Sequence, residues 1–158
     1  YEAFAKQTGM QFVGVPLTAD FELDTPAMLA AVREHKPALT YIAYPNNPTA
    51  NLWDDAAIEQ IIDAVAQNGQ GLVIIDEAYQ PFASKSYLDR LTRHPHVLLM
   101  RTLSKFGLAG VRLGYMMGRQ DLIEQVEELL VLGSQRFEHA LLPSSRCPIP
   151  NSGETYIT

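Results

Sequence analysis

Cysteine is almost absent: Cys147 is the only one among 158 residues, so no disulfide can form within the chain. That excludes the stapled architecture of small secreted domains and points to a reducing compartment, the cytoplasm. Charge is sparse as well, at 19% of residues, and leans acidic, with 18 Asp and Glu against 12 Lys and Arg. No basic stripe exists to neutralise a phosphate backbone, which argues against a nucleic-acid partner. No apolar run approaches the ~20 residues that cross a bilayer. The first residues, Tyr1-Glu2-Ala3-Phe4, do not resemble a signal peptide and lack an initiating Met, so the chain reads as a piece of something longer. There is no internal repeat, no Gly-x-Ser-x-Gly elbow and no nucleotide phosphate loop. Metal ligands are thin too. His94-Pro95-His96 is too closely spaced and proline-bound for a helical pair, and His35 and His139 read as solvated, so no metal site is expected.

What the chain does have is 47% hydrophobic residues, enough for one domain with a real core. Apolar runs alternate with helical patterns. Phe12 to Val15 is a short strand candidate. Thr25-Pro26 has the signature of an N-cap followed by proline at the first helical position. Leu39 to Tyr44 reads as a strand. Asp54 to Asn68 reads as an amphipathic helix, with Ile58, Ile61, Ile62 and Val65 on one face. Leu72 to Ile75 is a continuous apolar strand of the kind covered on both faces. A short helix near Tyr87 to Arg93 precedes the strand Val97 to Met100. The strand Leu113 to Met117 and the helix Asp121 to Leu132 follow. The alternation predicts an α/β domain with helices on both sides of a mostly parallel sheet. Prolines 143, 148 and 150 interrupt any period in the last stretch. The expected division is a core over 1–129 and an irregular tail over 130–158.

Ligands of such sheets bind beyond the carboxyl ends of the strands, and three loops there carry chemistry. The first is Tyr44-Pro45-Asn46-Asn47-Pro48-Thr49, the second Asp76-Glu77-Ala78-Tyr79, the third Thr102-Leu103-Ser104-Lys105 with Arg112 seven residues on. An amine flanked by hydroxyls and a cation suits a phosphorylated aldehyde bound covalently, which points to pyridoxal 5'-phosphate. Lys105 would form the Schiff base and then shuttle the proton. Asp76 would hold the pyridine nitrogen protonated, so that the ring withdraws electrons. Tyr79 and Asn47 would donate to the ring phenolate, and Thr102, Ser104 and Arg112 would grip the phosphate. Taken singly, each residue has a blander reading: a loop lysine is usually solvated, Asp76 could cap a turn, and Asn46-Asn47-Pro48 could be only a turn. The case rests on their joint occurrence at strand ends.

Three strings carry a family resemblance: YPNNPTAN (Tyr44 to Asn51), IIDEAYQPFA (Ile74 to Ala83) and MRTLSKFGLAGVRLGY (Met100 to Tyr115). With them the chain resembles the class I/II aminotransferases of fold-type I, and most of all the histidinol-phosphate aminotransferases, over roughly residues 1–126. The resemblance implies the three-layer α/β/α large domain of that fold, here incomplete, with Lys105 as the cofactor lysine and Asp76 as the pyridinium partner. It likewise assigns Asn47 and Tyr79 to the phenolate, and Thr102, Ser104 and Arg112 to the phosphate. It further implies a homodimer and amino-group transfer between glutamate/2-oxoglutarate and imidazole-acetol phosphate in histidine biosynthesis. Alternatives on the same fold are an aromatic or aspartate aminotransferase or a phospho-amino-acid decarboxylase. An alternative of another class is the cofactor-binding regulatory domain of a transcription factor.

Three departures stand out. Ala50 occupies the position where the family has glycine, which strains the turn if a positive φ is required there. The early phosphate-binding loop and the aromatic that stacks on the ring have no counterpart in the chain. After about Glu127 the family pattern stops, as a frameshift or truncation would make it. A chain of this extent is expected to turn over little or no substrate by itself.

Overall fold

The structure, a computed structural model, describes residues 1–111 and 113–133. Its centre is a four-stranded sheet in sequence order: β1 (Leu39–Ala43), β2 (Leu72–Asp76), β3 (Val97–Thr102) and β4 (Gly114–Met117). β1, β2 and β3 run parallel, with Ala43 beside Asp76 and Asp76 beside Met100, while β4 returns antiparallel along β3. The helices are α1 (Glu2–Gln7), α2 (Thr25–His35), α3 (Asp55–Gln67) and α4 (Gln120–Gly133).

Strand side chains alternate between faces, and two separate cores result. Ile42, Val73, Ile75, Val97, Leu99 and Met117 face α2 and α3, where they meet Val32, Ile58, Ile61, Ile62 and Val65. Tyr41, Ile74, Leu98, Met100 and Met116 face the other way, against Leu122, Ile123 and Val126 of α4. That makes three layers, α/β/α, as expected. Each fully buried aliphatic side chain adds about 1.5–3 kcal/mol, which explains why the central strands are apolar up to their carboxyl ends.

Several local expectations need correction. α2 is capped by Asp24, not Thr25: the Asp24 carboxylate accepts from the Ala27 amide at 3.0 Å. Thr25 becomes the first helical residue and Pro26 the second, still within the turn whose N–H groups have no helical partner. Phe12 to Val15 does not form a strand. No strand among the described residues pairs with it, and Phe12 and Val13 stay exposed. The Tyr87–Arg93 helix shrinks to a 3-10 turn, Leu88–Arg90. α3 matches expectation: Asp54 caps it by accepting from Ala57 N at 2.9 Å, and Asn68 closes it while donating to Val32 O of α2 at 2.9 Å. α4 carries on through Gly133, into the stretch expected to be irregular; the remainder of that stretch, 134–158, lies outside the described residues. Among the described residues no helix is long and apolar enough to cross a membrane.

Candidate active site

The parallel strands β1, β2 and β3 deliver their carboxyl ends to one edge of the sheet, and the candidate residues gather there. Beyond β1, the loop is pinned by the Trp53 indole donating to Ala43 O at 2.8 Å. It is closed on itself by Asn46 N to Asn51 O at 3.0 Å, Ala50 N to Asn46 O at 2.8 Å, and the Asn46 side chain to Thr49 Oγ1 at 2.7 Å. Ala50 has φ of 60°. The turn therefore does require the left-handed conformation that glycine adopts freely, and Ala50 is strained in it. This fixed loop presents Asn47, which is exposed.

β2 ends on Asp76. Its Oδ1 accepts from Ala78 N at 3.0 Å, which turns the chain sharply and aims the carboxylate outward. Its Oδ2 accepts from the Tyr1 hydroxyl at 2.5 Å, and the Tyr1 ring stacks on Tyr41 with centroids 4.5 Å apart. Burial and the Asp76 carboxylate together push the Tyr1 phenol above its ordinary pKa. Three residues past Asp76, the Tyr79 ring lies under the Lys105 amine, 4.7 Å from its centroid, a cation–π contact. Lys105, on the turn after β3, thus contacts the segment that leaves β2 at Asp76.

β3 ends on Thr102, and a 3-10 turn, Leu103–Phe106, carries Ser104 and Lys105 before Gly107 ends it at φ of 84°. Thr102 Oγ1 accepts from Ser104 N at 3.2 Å and lies 3.0 Å from Ser104 Oγ and 3.2 Å from Leu113 O. A hydroxyl has one proton to give. When Thr102 gives it to Ser104, the Ser104 proton is available to an anionic ligand. Arg112, the remaining candidate, lies outside the described residues.

One feature of this edge was not anticipated from the sequence. Glu77, next to Asp76, is 0% exposed and meets Arg101, the residue before Thr102. The available signal was a charge at the end of each of two adjacent apolar runs, LVII-DE and VLLM-R.

A protein-family model described as Aminotransferase class I and II matches residues 1–132. The chain belongs to this aminotransferase family. It is 72% identical over 129 residues to a histidinol-phosphate aminotransferase of Methylibium petroleiphilum, covering 82% of this chain and 34% of the relative. It is 69% identical to the same-named protein of Polaromonas naphthalenivorans, covering 82% and 35%. Among solved structures, the histidinol-phosphate aminotransferase of Sinorhizobium meliloti in complex with pyridoxal-5'-phosphate is similar. Its TM-score is 0.71 at 30% identity, over 81% of this chain and 35% of that one. The chain spans about a third of the length of the curated relatives it matches.

The residues present fit that cofactor. The outward oxygen of Asp76 already accepts a hydrogen bond from a hydroxyl borne on an aromatic ring, and a pyridinium N–H is a ring-borne donor of the same kind. An amine and two hydroxyls stand on the neighbouring strand end, the donor set that an aldehyde and a phosphate need.

Proposed function

We propose that the full-length protein is a pyridoxal 5'-phosphate-dependent aminotransferase that moves an amino group between histidinol phosphate and 2-oxoglutarate in histidine biosynthesis. The observation that carries this reading is the 72% identity to a histidinol-phosphate aminotransferase. The gathering of Asp76, Tyr79 and Lys105 at one sheet edge supports it. The cofactor supplies an electron sink for charge developing at the substrate α-carbon. Lys105 holds its aldehyde and afterwards carries a proton to and from the substrate. Asp76 would keep the ring nitrogen protonated, and the Tyr1 hydroxyl now on its Oδ2 would have to yield or share that carboxylate. Asn47 and Tyr79 donate to the ring phenolate; Thr102, Ser104 and Arg112 bind the phosphate. In this reading residues 1–129 are the core of the cofactor-binding domain and the protein works in the cytoplasm. In this reading the full-length protein is a homodimer.

The test is a visible spectrum and an amino-transfer assay on the full-length protein. Pyridoxal phosphate should produce a pH-dependent visible band that Lys105→Ala abolishes, and histidinol phosphate should be used far better than phenylalanine or aspartate. A band that survives Lys105→Ala would remove the covalent assignment. Preference for phenylalanine or aspartate would move the protein to another aminotransferase activity. Sedimentation of the full-length protein as a monomer would remove the dimer.

A further inference from the structure

Behind the open edge lies a closed one. Strand alternation sends Asp76 and Thr102 to one side of the sheet and their neighbours Glu77 and Arg101 to the other, the side covered by α2 and α3. There Glu77 Oε2 accepts from Arg101 Nε at 2.9 Å, Arg101 Nη2 at 2.8 Å and Ser86 Oγ at 3.1 Å. Its Oε1 accepts from the Tyr87 amide at 2.6 Å. Arg101 Nη2 also donates to Ser86 Oγ at 2.8 Å, and that oxygen accepts from Leu88 N at 3.0 Å. The Glu77 amide itself donates to Met100 O at 2.8 Å. Burial pulls the Arg101 guanidinium toward neutrality, and its interactions with Glu77 and Tyr115 together outweigh this, raising its pKa.

These contacts join three pieces of chain. Glu77 is the residue after Asp76. Arg101 is the residue before Thr102 and leads into Ser104 and Lys105. Ser86 and Tyr87 end the loop that begins with Tyr79. A buried ion pair is a poor source of net stability, because desolvating two charges consumes most of their attraction. What it can do is fix geometry, since a planar guanidinium and a carboxylate meet only in narrow orientations. We infer that Glu77 and Arg101 are positioning residues, which set the spacing between Asp76 on β2 and Lys105 beyond β3 so that one cofactor can reach both. This rests on the cofactor reading above. Asp76 and Lys105 act on opposite ends of a rigid ring, so a sub-ångström drift of one strand end against the other would loosen one contact or the other.

The experiment uses the full-length protein loaded with pyridoxal phosphate, comparing wild type with Glu77→Gln, Arg101→Met, Arg101→Lys and the double variant Glu77→Leu/Arg101→Met. The double variant leaves no unpaired buried charge and keeps the proposal testable if a single variant fails to fold. The readouts are cofactor dissociation constant, the pH at which the visible band titrates, kcat and KM, with circular dichroism as the check of folding. The folded variants should bind cofactor at least tenfold more weakly, titrate at a displaced pH, and lose ten- to a hundredfold in kcat with KM changed only a few-fold. Arg101→Lys should recover part of each. Wild-type affinity, titration and kcat in the double variant would overturn the inference, leaving the pair a purely structural one. Absence of any band in wild type would instead overturn the cofactor reading itself.

Discussion

Asp76 and Glu77 are consecutive carboxylates at the end of one strand, and their surroundings could hardly differ more. Asp76 faces the open edge and accepts two hydrogen bonds, one of them from an exposed tyrosine that a ligand can displace. Glu77 faces the helices, is wholly buried and accepts four. The same split recurs on β3, where Arg101 is spent on Glu77 while Thr102 and Ser104 keep hydroxyls at the open edge. A group that is to bind a ligand needs hydrogen-bonding capacity to spare, and spare capacity does not hold the group in place. Asp76 and Thr102 each stand one residue from a saturated neighbour, Glu77 and Arg101.

The difference should be plain in stability. Glu77→Ala takes the carboxylate from a part-buried Arg101 guanidinium and is expected to cost about 3 kcal/mol, the low end of the range for breaking one half of a buried pair. Asp76→Ala removes a partly exposed group and should cost about 1 kcal/mol or less, on the scale of surface polar changes. Urea unfolding of the cofactor-free protein measures both. Similar losses for the two would erase the contrast between open and closed sides.

How far the sequence reveals that contrast depends on range. Asp76, Tyr79, Ser104 and Lys105 stand out because each follows an apolar run, and a residue just past a buried strand must lie at the sheet edge. The two-sided sheet is equally visible in LVII and VLLM, which have no polar face. Glu77 is a different matter. A charged residue one step beyond Asp76 is buried only because a partner 24 residues along waits on the next strand, and such pairing follows from register, not local pattern. Likewise the Phe12–Val15 run has strand composition, but composition cannot supply a neighbour to bond with. The antiparallel return of β4 was within reach: the connection 103–113 is short for the crossover of a dozen or more residues that a parallel neighbour requires.

A second, more exposed ion network sharpens the comparison. Along one flank of α3, Asp55 accepts from the Tyr87 hydroxyl at 3.0 Å and meets Lys85 and Arg90, while Glu59 pairs with Arg90 at 2.6 Å and His94 at 2.9 Å. For Asp55, burial raises the pKa, but the bonds from Tyr87 and Lys85 prevail and hold it below the ordinary value. For Glu59, burial likewise raises it, and the contacts with Arg90 and His94 together prevail. Both folded pKa values therefore lie below the unfolded ones, so the network stabilises above about pH 4.5 and the benefit disappears as pH falls through the folded values. Asp55 is 38% and Glu59 29% exposed, so solvent screening limits each to about 1 kcal/mol or less. Asp55→Asn with Glu59→Gln should lower stability at pH 7 by that modest amount and flatten its decline below pH 4.5. A loss as large as that of Glu77→Ala would mean that burial does not separate the two networks.

The smallest expected effect concerns the loop that presents Asn47. Ala50 sits at φ of 60°, where a Cβ costs about 1–2 kcal/mol. Glycine there removes that strain but gives the unfolded chain more freedom, a loss of about 0.5–1 kcal/mol. Ala50 is exposed, so its methyl contributes little packing, and its amide bond to Asn46 O survives the change. Ala50→Gly should therefore raise stability by about 0.5 kcal/mol, seen as a rise of a degree or two in the thermal midpoint. A fall instead would show that the methyl holds the turn, and with it Asn47, in a way the backbone bonds alone do not. The loop would then belong with the closed side of the molecule and not the open one.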